Sequence, residues 1–221
     1  MARDSADRLQ AADIMNAYRL GYFPMSRSRF DPSIVWVLPD ERGVLELDHA
    51  TAPKKLRRLL KREPFQIKFN ENFHRVLLEC AAPAKGREDT WINDQILEAY
   101  CELHALGWAH SVECYAGDEL VGGLYGVEMG AIFCGESMFS RRTNASKIAM
   151  LYLIAALKEA GFAILDTQFF TEHLSQFGVE EWPDAAYQSA LQQYADDDAR
   201  FPRKGYSLSS GIVSQLITQT S

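Results

Sequence analysis

Apolar residues recur at helical spacing near the start of the chain. The stretch from residue 9 to 20, LQAADIMNAYRL, predicts a helix that ends at Gly21. Residues 34–47 instead contain two short apolar runs on either side of PDERG, which predict two strands. A second helix is predicted from Pro53, and its buried side is formed by Leu56, Leu59 and Leu60.

The pattern changes at Pro64, where we place the boundary between a small N-terminal α/β domain, residues 1–63, and a second domain, residues 64–221. The second domain is predicted to begin with a strand and two helices, followed by three strand-like runs, HSVECY, ELVGGLYGV and AIFCGESMF. Because the turns between these runs are short, they favour an antiparallel meander. A helix capped by Asn144, a buried strand at 162–165 and a helix at 184–194 complete the predicted order.

This order of elements is that of acetyltransferase-like (GNAT) domains. The predicted fold class is therefore α+β, with a GNAT-like second domain and a mixed, largely antiparallel sheet. A fold analogy of this kind does not identify a reaction.

The composition is that of an ordinary soluble protein, with 47% hydrophobic and 24% charged residues among 221. No apolar run approaches the roughly 18 residues that a membrane helix needs. The first 15 residues carry charges of both signs and no apolar segment, so we expect no signal peptide. Since the four cysteines show no C-x-x-C spacing, we expect reduced thiols and a cytoplasmic location.

The net charge of −7 argues against indiscriminate binding of nucleic acid, but the charge is unevenly distributed. Six of the nine residues from Lys54 to Arg62 are basic. The segment from His173 to Ala199 has six carboxylates and no lysine or arginine. One part of the chain is therefore suited to an anion and another to a cation.

Several common chemistries are disfavoured by the motifs. No two histidines have the spacing of a helical metal pair, and neither a G-x-S-x-G elbow nor a phosphate-binding loop with lysine is present. The glycines of GGLYG, residues 122–126, lie inside a predicted strand and favour close backbone packing. The loop SRRTNAS, residues 140–146, lacks the glycine that an acetyl-CoA site of this fold needs. We therefore expect no metal and no diffusible cofactor.

Two short segments are candidates for chemistry, and each leaves an alternative open. Glu136 is either a solvent-facing glutamate of an edge strand or a carboxylate at the rim of an apolar pocket near Trp91, Phe133 and Met138. The segment Asp166-Thr167-Gln168 either makes turn hydrogen bonds or meets a ligand at a strand end. The basic stretch is likewise either a solvated helix face or a contact for phosphates.

An ordered series of motifs resembles the leucyl/phenylalanyl-tRNA–protein transferase family. The series is AYRLGYFPM, WVLPDERGVL, TWI, AYCELHALGWAHSVE, LVGGLYGV, FCGESMFS, NASK and LDTQFFTEHLSQFG, and it extends over about residues 12 to 192. The resemblance implies an enzyme that moves leucine or phenylalanine from its tRNA to a protein whose first residue is Arg or Lys. It also implies a GNAT-like domain used without coenzyme A.

The resemblance implies roles for individual residues. Asp166 and Gln168 match the catalytic D-x-Q positions, where Gln168 would bind the attacking amine and Asp166 would polarise it and receive its proton, directly or through Gln168 and water. The pocket for the aminoacyl side chain and the terminal adenosine would contain Met25, Trp91, Phe133, Glu136, Ser137, Met138, Leu153, Leu157 and Leu165. Contacts with the tRNA acceptor stem would come from Lys54, Lys55, Arg57, Arg58, Lys61 and Arg62.

Three departures from the family pattern bear on specificity. Met25 and Val37 stand where many members have tryptophan. After LSQFG, the usual apolar-x-Arg is replaced by Val179-Glu180-Glu181-Trp182-Pro183. The partners implied are aminoacyl-tRNA and a protein N-terminus, with the enzyme acting as a monomer. Two other functions remain open: an acyl-CoA N-acyltransferase of GNAT type, and a tRNA-binding module without catalytic activity.

Overall fold

The computed structural model describes residues 8–84, 86 and 88–218. Its centre is a seven-stranded sheet with the strand order β4-β5-β6-β7-β8-β3-β9. The strands are β3 (Glu41–Glu46), β4 (Gln66–Phe69), β5 (Ala109–Ala116), β6 (Glu119–Met129), β7 (Ile132–Ser140), β8 (Ile164–Gln168) and β9 (Glu180–Pro183). A separate antiparallel hairpin is formed by β1 (Phe23–Met25) and β2 (Val35–Val37).

Neighbouring strands of the large sheet are antiparallel except for β7 and β8, which are parallel. The predicted α+β class with a mixed, largely antiparallel sheet is therefore confirmed. So is the meander of β5, β6 and β7, in which short turns join adjacent strands.

Strand β3 lies inside the sheet, next to the edge strand β9 and paired with β8 on its other side, although it comes from the segment assigned to the small N-terminal domain. The 34–47 segment does form two strands, but they belong to different sheets and do not pair with each other. The division at residue 63 remains a prediction about separately folding units, since hydrogen bonds of one sheet join both sides of it.

Helices cover both faces of the sheet. Their bounds are α1 Ala11–Arg19, α2 Lys54–Leu60, α3 Phe73–Ala81, α4 Asp94–Ala105, α5 Ala145–Glu159, α6 Glu172–Ser175, α7 Asp184–Tyr194 and α8 Ser210–Thr218. Helices α2, α5 and α8 share one hydrophobic core, in which α5 is buried on almost every side. Helices α1, α3, α4 and α7 form a second core on the opposite face.

The glycines of β6 allow close packing, as predicted. A Cβ atom at Gly122 would collide with Ala145, the first residue of α5, and one at Gly126 would collide with Phe133 and the Cys134 carbonyl. The prediction for Asn144 is only half right. Helix α5 does begin after it, but Asn144 has a left-handed backbone and its side chain makes no capping hydrogen bond.

None of the four cysteines forms a disulfide. Among the described residues, no helix has the length and apolar character required to cross a membrane. The expectation about a signal peptide concerns a segment whose residues 1–7 lie outside the described part of the chain.

Candidate active site

A cavity opens where β7 and β8 part. The parallel pairing between these strands ends at Cys134 and Asp166, so the residues that follow are not joined by ladder hydrogen bonds. An irregularity in the β6–β7 register leaves Glu136 without a partner on β6, between Gly135 and Ser137. Bulges of this kind redirect side chains, which explains how a central strand can present a carboxylate to a cavity.

The cavity has a volume of about 460 Å³ and mostly apolar walls. It brings together five of the predicted pocket residues: Glu136, Ser137, Met138, Leu153 and Leu165. Other wall residues, which the motifs did not assign to a pocket, include Ser146 and Met150 of α5, Thr167 of β8, and Thr171, His173 and Leu174 after β8. Burial, and secondarily Lys147, lowers the pKa of the His173 imidazole, so His173 does not add a positive charge to the cavity near neutral pH.

Four predicted pocket residues lie outside this cavity wall. Phe133 is fully buried and stacks against Phe201, with a ring-centroid distance of 5.1 Å. Leu157 is buried in the core that α5 shares with α2 and α8. Met25 and Trp91 pack against the core on the opposite face, close to each other, since the Ser26 N–H donates to the Trp91 carbonyl at 3.1 Å.

Glu136 lies on a central strand and accepts three hydrogen bonds. The Tyr18 hydroxyl donates to its Oε1 at 2.5 Å, the Tyr100 hydroxyl to its Oε2 at 3.0 Å, and the Gln168 Nε2 to its Oε1 at 3.1 Å. The alternative of a solvent-facing edge glutamate is therefore wrong. Burial raises the pKa of Glu136 to about 7, although the two tyrosine hydrogen bonds act in the opposite direction.

Asp166 is 0% exposed and is held by four donors. Arg42 contacts both carboxylate oxygens, with Nε 2.9 Å from Oδ1 and Nη2 2.7 Å from Oδ2. The Tyr187 hydroxyl donates to Oδ2 at 2.7 Å and the Gln168 N–H donates to Oδ1 at 2.8 Å. Burial alone would lower the pKa of the Arg42 guanidinium, but the charge of Asp166 raises it. The guanidinium therefore keeps its positive charge.

Gln168 connects the two carboxylates. Its backbone N–H binds Asp166 and its side-chain amide binds Glu136. Its φ of 58° is in the left-handed region, where residues other than glycine are uncommon. Asp166, two residues earlier, holds this conformation because its carboxylate accepts a hydrogen bond from the Gln168 N–H. Since Asp166 also forms the buried ion pair with Arg42, that pair keeps the strained end of β8 in place.

Sequence reasoning missed the side chains that position the carboxylates: Tyr18, Arg42, Tyr100 and Tyr187. Tyr18 and Tyr100 lie on the apolar sides of α1 and α4, where a tyrosine has the pattern of an ordinary core residue. Arg42 follows a charged turn and gives no sign of burial in the sequence, yet it is 1% exposed. Its guanidinium lies over the Phe23 and Tyr187 rings.

The predicted basic residues lie on or next to α2. Lys54, Lys55, Arg58, Lys61 and Arg62 are exposed, whereas Arg57 is partly buried. Helix α2 packs through Leu56 and Leu60 on the core that contains α5, the helix that also lines the cavity. The basic surface and the cavity are thus on the same face of the sheet.

The two arginines that follow β7 are engaged by carboxylates. Arg141 forms a close ion pair with Glu79, and Arg142 lies 3.3 Å from Glu119. Within the described part of the chain, no three His, Cys, Asp or Glu side chains form a group that could hold a metal ion.

Residues 44–192 match the family model described as leucyl/phenylalanyl-tRNA protein transferase. The chain belongs to this family. A leucyl/phenylalanyl-tRNA–protein transferase of Maricaulis maris is 45% identical over 211 residues, covering 96% of this chain and 98% of the relative. One of Paramagnetospirillum magneticum is 49% identical over 195 residues, covering 88% of this chain and 93% of the relative.

A solved structure, that of L-PGS from Bacillus licheniformis, is also similar, with a TM-score of 0.44 and 14% identity over 96% of this chain and 72% of that one. Membership of the transferase family makes the chain an aminoacyltransferase that uses aminoacyl-tRNA. The resemblance in the motifs is therefore confirmed.

Proposed function

We propose that this protein transfers leucine or phenylalanine from aminoacyl-tRNA to the α-amine of proteins that begin with Arg or Lys. The observation that carries the proposal is an apolar cavity lined in part by Glu136, whose carboxylate accepts a hydrogen bond from Gln168, in a chain of the leucyl/phenylalanyl-tRNA–protein transferase family. We further propose a GNAT-like catalytic domain, acting in the cytoplasm as a monomer.

The cavity would hold the side chain of the esterified amino acid. Its walls include Met138, Met150, Leu153 and Leu165, which offer apolar surface and no charge. Such a pocket distinguishes amino acids by shape, which is worth roughly 1–3 kcal/mol for a misfit of methyl size. An unbranched β-carbon enters most readily, which favours Leu and Phe over Ile and Val.

Gln168 would position the attacking amine. The ester is already activated, so much of the rate is expected from holding the amine near the ester carbonyl. The Nε2 of Gln168 donates to Glu136, which turns the amide carbonyl oxygen away from that carboxylate, where it can accept from an amine. Asp166 supports this arrangement because it holds the Gln168 backbone through the N–H.

Helix α2 would contact the phosphates of the tRNA acceptor stem. Its exposed Lys54, Lys55 and Arg58, with Lys61 and Arg62 just after it, lie on the face of the sheet where the cavity opens. Phosphate contacts position a nucleic acid without reading its sequence. This suits an enzyme that selects the amino acid.

The acyl-CoA alternative is disfavoured by the loop that follows β7. In GNAT enzymes this loop must present bare backbone N–H groups to a pyrophosphate. Here residues 140–146 contain no glycine, and Arg141 and Arg142 already pair with Glu79 and Glu119.

The decisive experiment supplies leucyl-tRNA and phenylalanyl-tRNA together with a peptide that begins with Arg. We expect the peptide to gain one Leu or Phe residue, detected by mass spectrometry, and a matched peptide beginning with Glu to remain unmodified. No adduct while the tRNA stays charged would overturn the proposal. Binding of acetyl-CoA in calorimetry would support the acyltransferase instead, and tRNA binding without transfer would support the non-catalytic module.

A further inference from the structure

We propose that Glu136, rather than Asp166, accepts the proton of the attacking amine and passes it to the departing ribose oxygen. The inference rests on the proposed function and assigns a catalytic role within the same site. Two observations carry it: the hydrogen-bond donors that each of the two carboxylates accepts from, and the position of each carboxylate relative to the cavity.

Asp166 has no vacant acceptor position. A carboxylate offers about four lone-pair positions, and those of Asp166 are taken by Arg42 at both oxygens, by Tyr187 and by the Gln168 N–H. It is also 0% exposed and lies outside the cavity wall. Proton transfer to Asp166 would therefore require breaking a buried, bidentate ion pair.

Glu136 has both access and capacity. It lines the cavity, and it receives three hydrogen bonds, from Tyr18, Tyr100 and Gln168. Two of these go to Oε1 and one goes to Oε2, so about one lone-pair position remains, on Oε2. An amine that is bound by the Gln168 amide lies next to the same carboxylate.

The surroundings of Glu136 set its basicity close to neutral pH. Burial raises its pKa to about 7, and donation by Tyr18 and Tyr100 limits the rise. The titratable and charged groups that face it come from five elements: Tyr18 of α1, Tyr100 of α4, Cys134 of β7, Asp166 of β8 and Arg42 of β3. The pKa values of the Tyr18 and Tyr100 hydroxyls are raised, first by burial and then by Glu136, so both remain protonated donors.

The proposed step is balanced in atoms and charge. The amine nitrogen forms a bond to the ester carbonyl carbon, and its proton moves to the Glu136 carboxylate. The bond between that carbon and the ribose oxygen then breaks, and the Glu136 carboxylic acid returns the proton to the ribose oxygen. The products are a peptide bond and a free ribose hydroxyl, and Glu136 is again a carboxylate. Acid–base catalysis is most effective when the pKa of the group is near the working pH.

The first test replaces Glu136 with Gln, which keeps the size of the side chain. Single-turnover transfer to an Arg-peptide should slow by about 10²–10⁴-fold. Affinity for a 3′-amide analogue of phenylalanyl-adenosine, which cannot react, should change little. The matched control is Glu119→Gln, an exposed glutamate that pairs with Arg142, and its rate should equal that of the wild type. An equal loss of rate and of analogue affinity in Glu136→Gln would show a binding role and overturn the proposal.

The second test uses pH and separates proton transfer from positioning. Ionisation of the peptide amine changes the rates of the wild type and of Glu136→Gln by the same factor. The ratio of the two rates is therefore independent of the amine's own pKa. This ratio should rise through about pH 7 and then become constant. Tyr100→Phe removes a donor that stabilises the carboxylate, so its rate profile should move to higher pH. A ratio that does not vary with pH would overturn the proposal, whereas absence of transfer by the wild type would overturn the proposed function first.

Discussion

Arg42 and Asp166 join β3 to β8 through two hydrogen bonds. Both residues are buried, with 1% of the surface of Arg42 and 0% of that of Asp166 exposed to solvent. Removing one member of such a pair leaves an unpaired charge in the interior, which typically costs about 3–5 kcal/mol. We therefore expect Asp166→Ala and Arg42→Ala to lower the free energy of unfolding by similar, large amounts in urea titrations.

The same two variants should lower turnover more than tRNA affinity, because they release the Gln168 backbone and leave α2 intact. Substituting Asp198, which forms an exposed pair with Arg200, is the stability control and should cost no more than about 1 kcal/mol. The structural role of the pair would be contradicted if Arg42→Ala were as stable as the wild type.

The periodic parts of the fold could be predicted from the sequence, and the site only in part. The meander and α5 follow from local patterns because each repeats one kind of burial over many residues. The position of β3 between β8 and β9 depends on contacts between residues more than 120 positions apart, such as Arg42 and Asp166. A single sequence does not show such pairs.

Two residues illustrate the limit at the site. Glu136 could be singled out because a lone carboxylate interrupts an apolar run, but its partners Tyr18 and Tyr100 have the spacing of core residues. Short elements were missed for another reason: α6 and β9 have four residues each, too few to establish a period.

Gly135 offers a way to alter the choice between Leu and Phe. It lines the cavity, and a Cβ atom there would lie 3.4 Å from the Leu165 Cδ1 and 3.6 Å from the Asp166 carbonyl oxygen. These are ordinary contacts, so Gly135→Ala should fold while making the cavity narrower. We expect transfer of Phe to fall about tenfold relative to Leu.

The measurement is a competition in which one peptide receives amino acids from equal amounts of both charged tRNAs. Gly211→Ala is a suitable control, because a Cβ atom there would approach only the Ser209 hydroxyl, at 3.7 Å. A Phe to Leu ratio that stays the same in Gly135→Ala would exclude this part of the cavity as the side-chain pocket.

The exposed basic residues of α2 should determine how tRNA affinity depends on salt. Lys54 and Arg58 are one helical turn apart and both are exposed. Replacing both with Gln should weaken tRNA binding and reduce the slope of log affinity against log salt by about one for each phosphate contact that is lost. Filter binding at several salt concentrations provides the measurement.

A charge-matched control is available on the other face of the sheet. Arg8 and Arg19 are exposed and pair with Glu98 and Asp196. Replacing both with Gln removes the same charge, so a general field effect would weaken binding equally. If the two double variants have the same slope, α2 is not a specific contact.

Glu136 should also make the stability of the protein depend on pH. Its folded pKa of about 7 lies above the ordinary value of 4.5, so the folded state binds this proton more tightly than the unfolded state. The resulting stabilisation is present below about pH 4.5 and is lost as the pH rises to about 7. Glu136→Gln removes this titration. The free energy of unfolding of the variant, minus that of the wild type, should therefore rise by about 3 kcal/mol between pH 4.5 and pH 7 and stay constant above that. Urea unfolding at pH values on both sides of the interval measures it, with Glu119→Gln expected to show no such change. A variant that is less stable than the wild type by the same amount at every pH would mean that Glu136 does not titrate near 7.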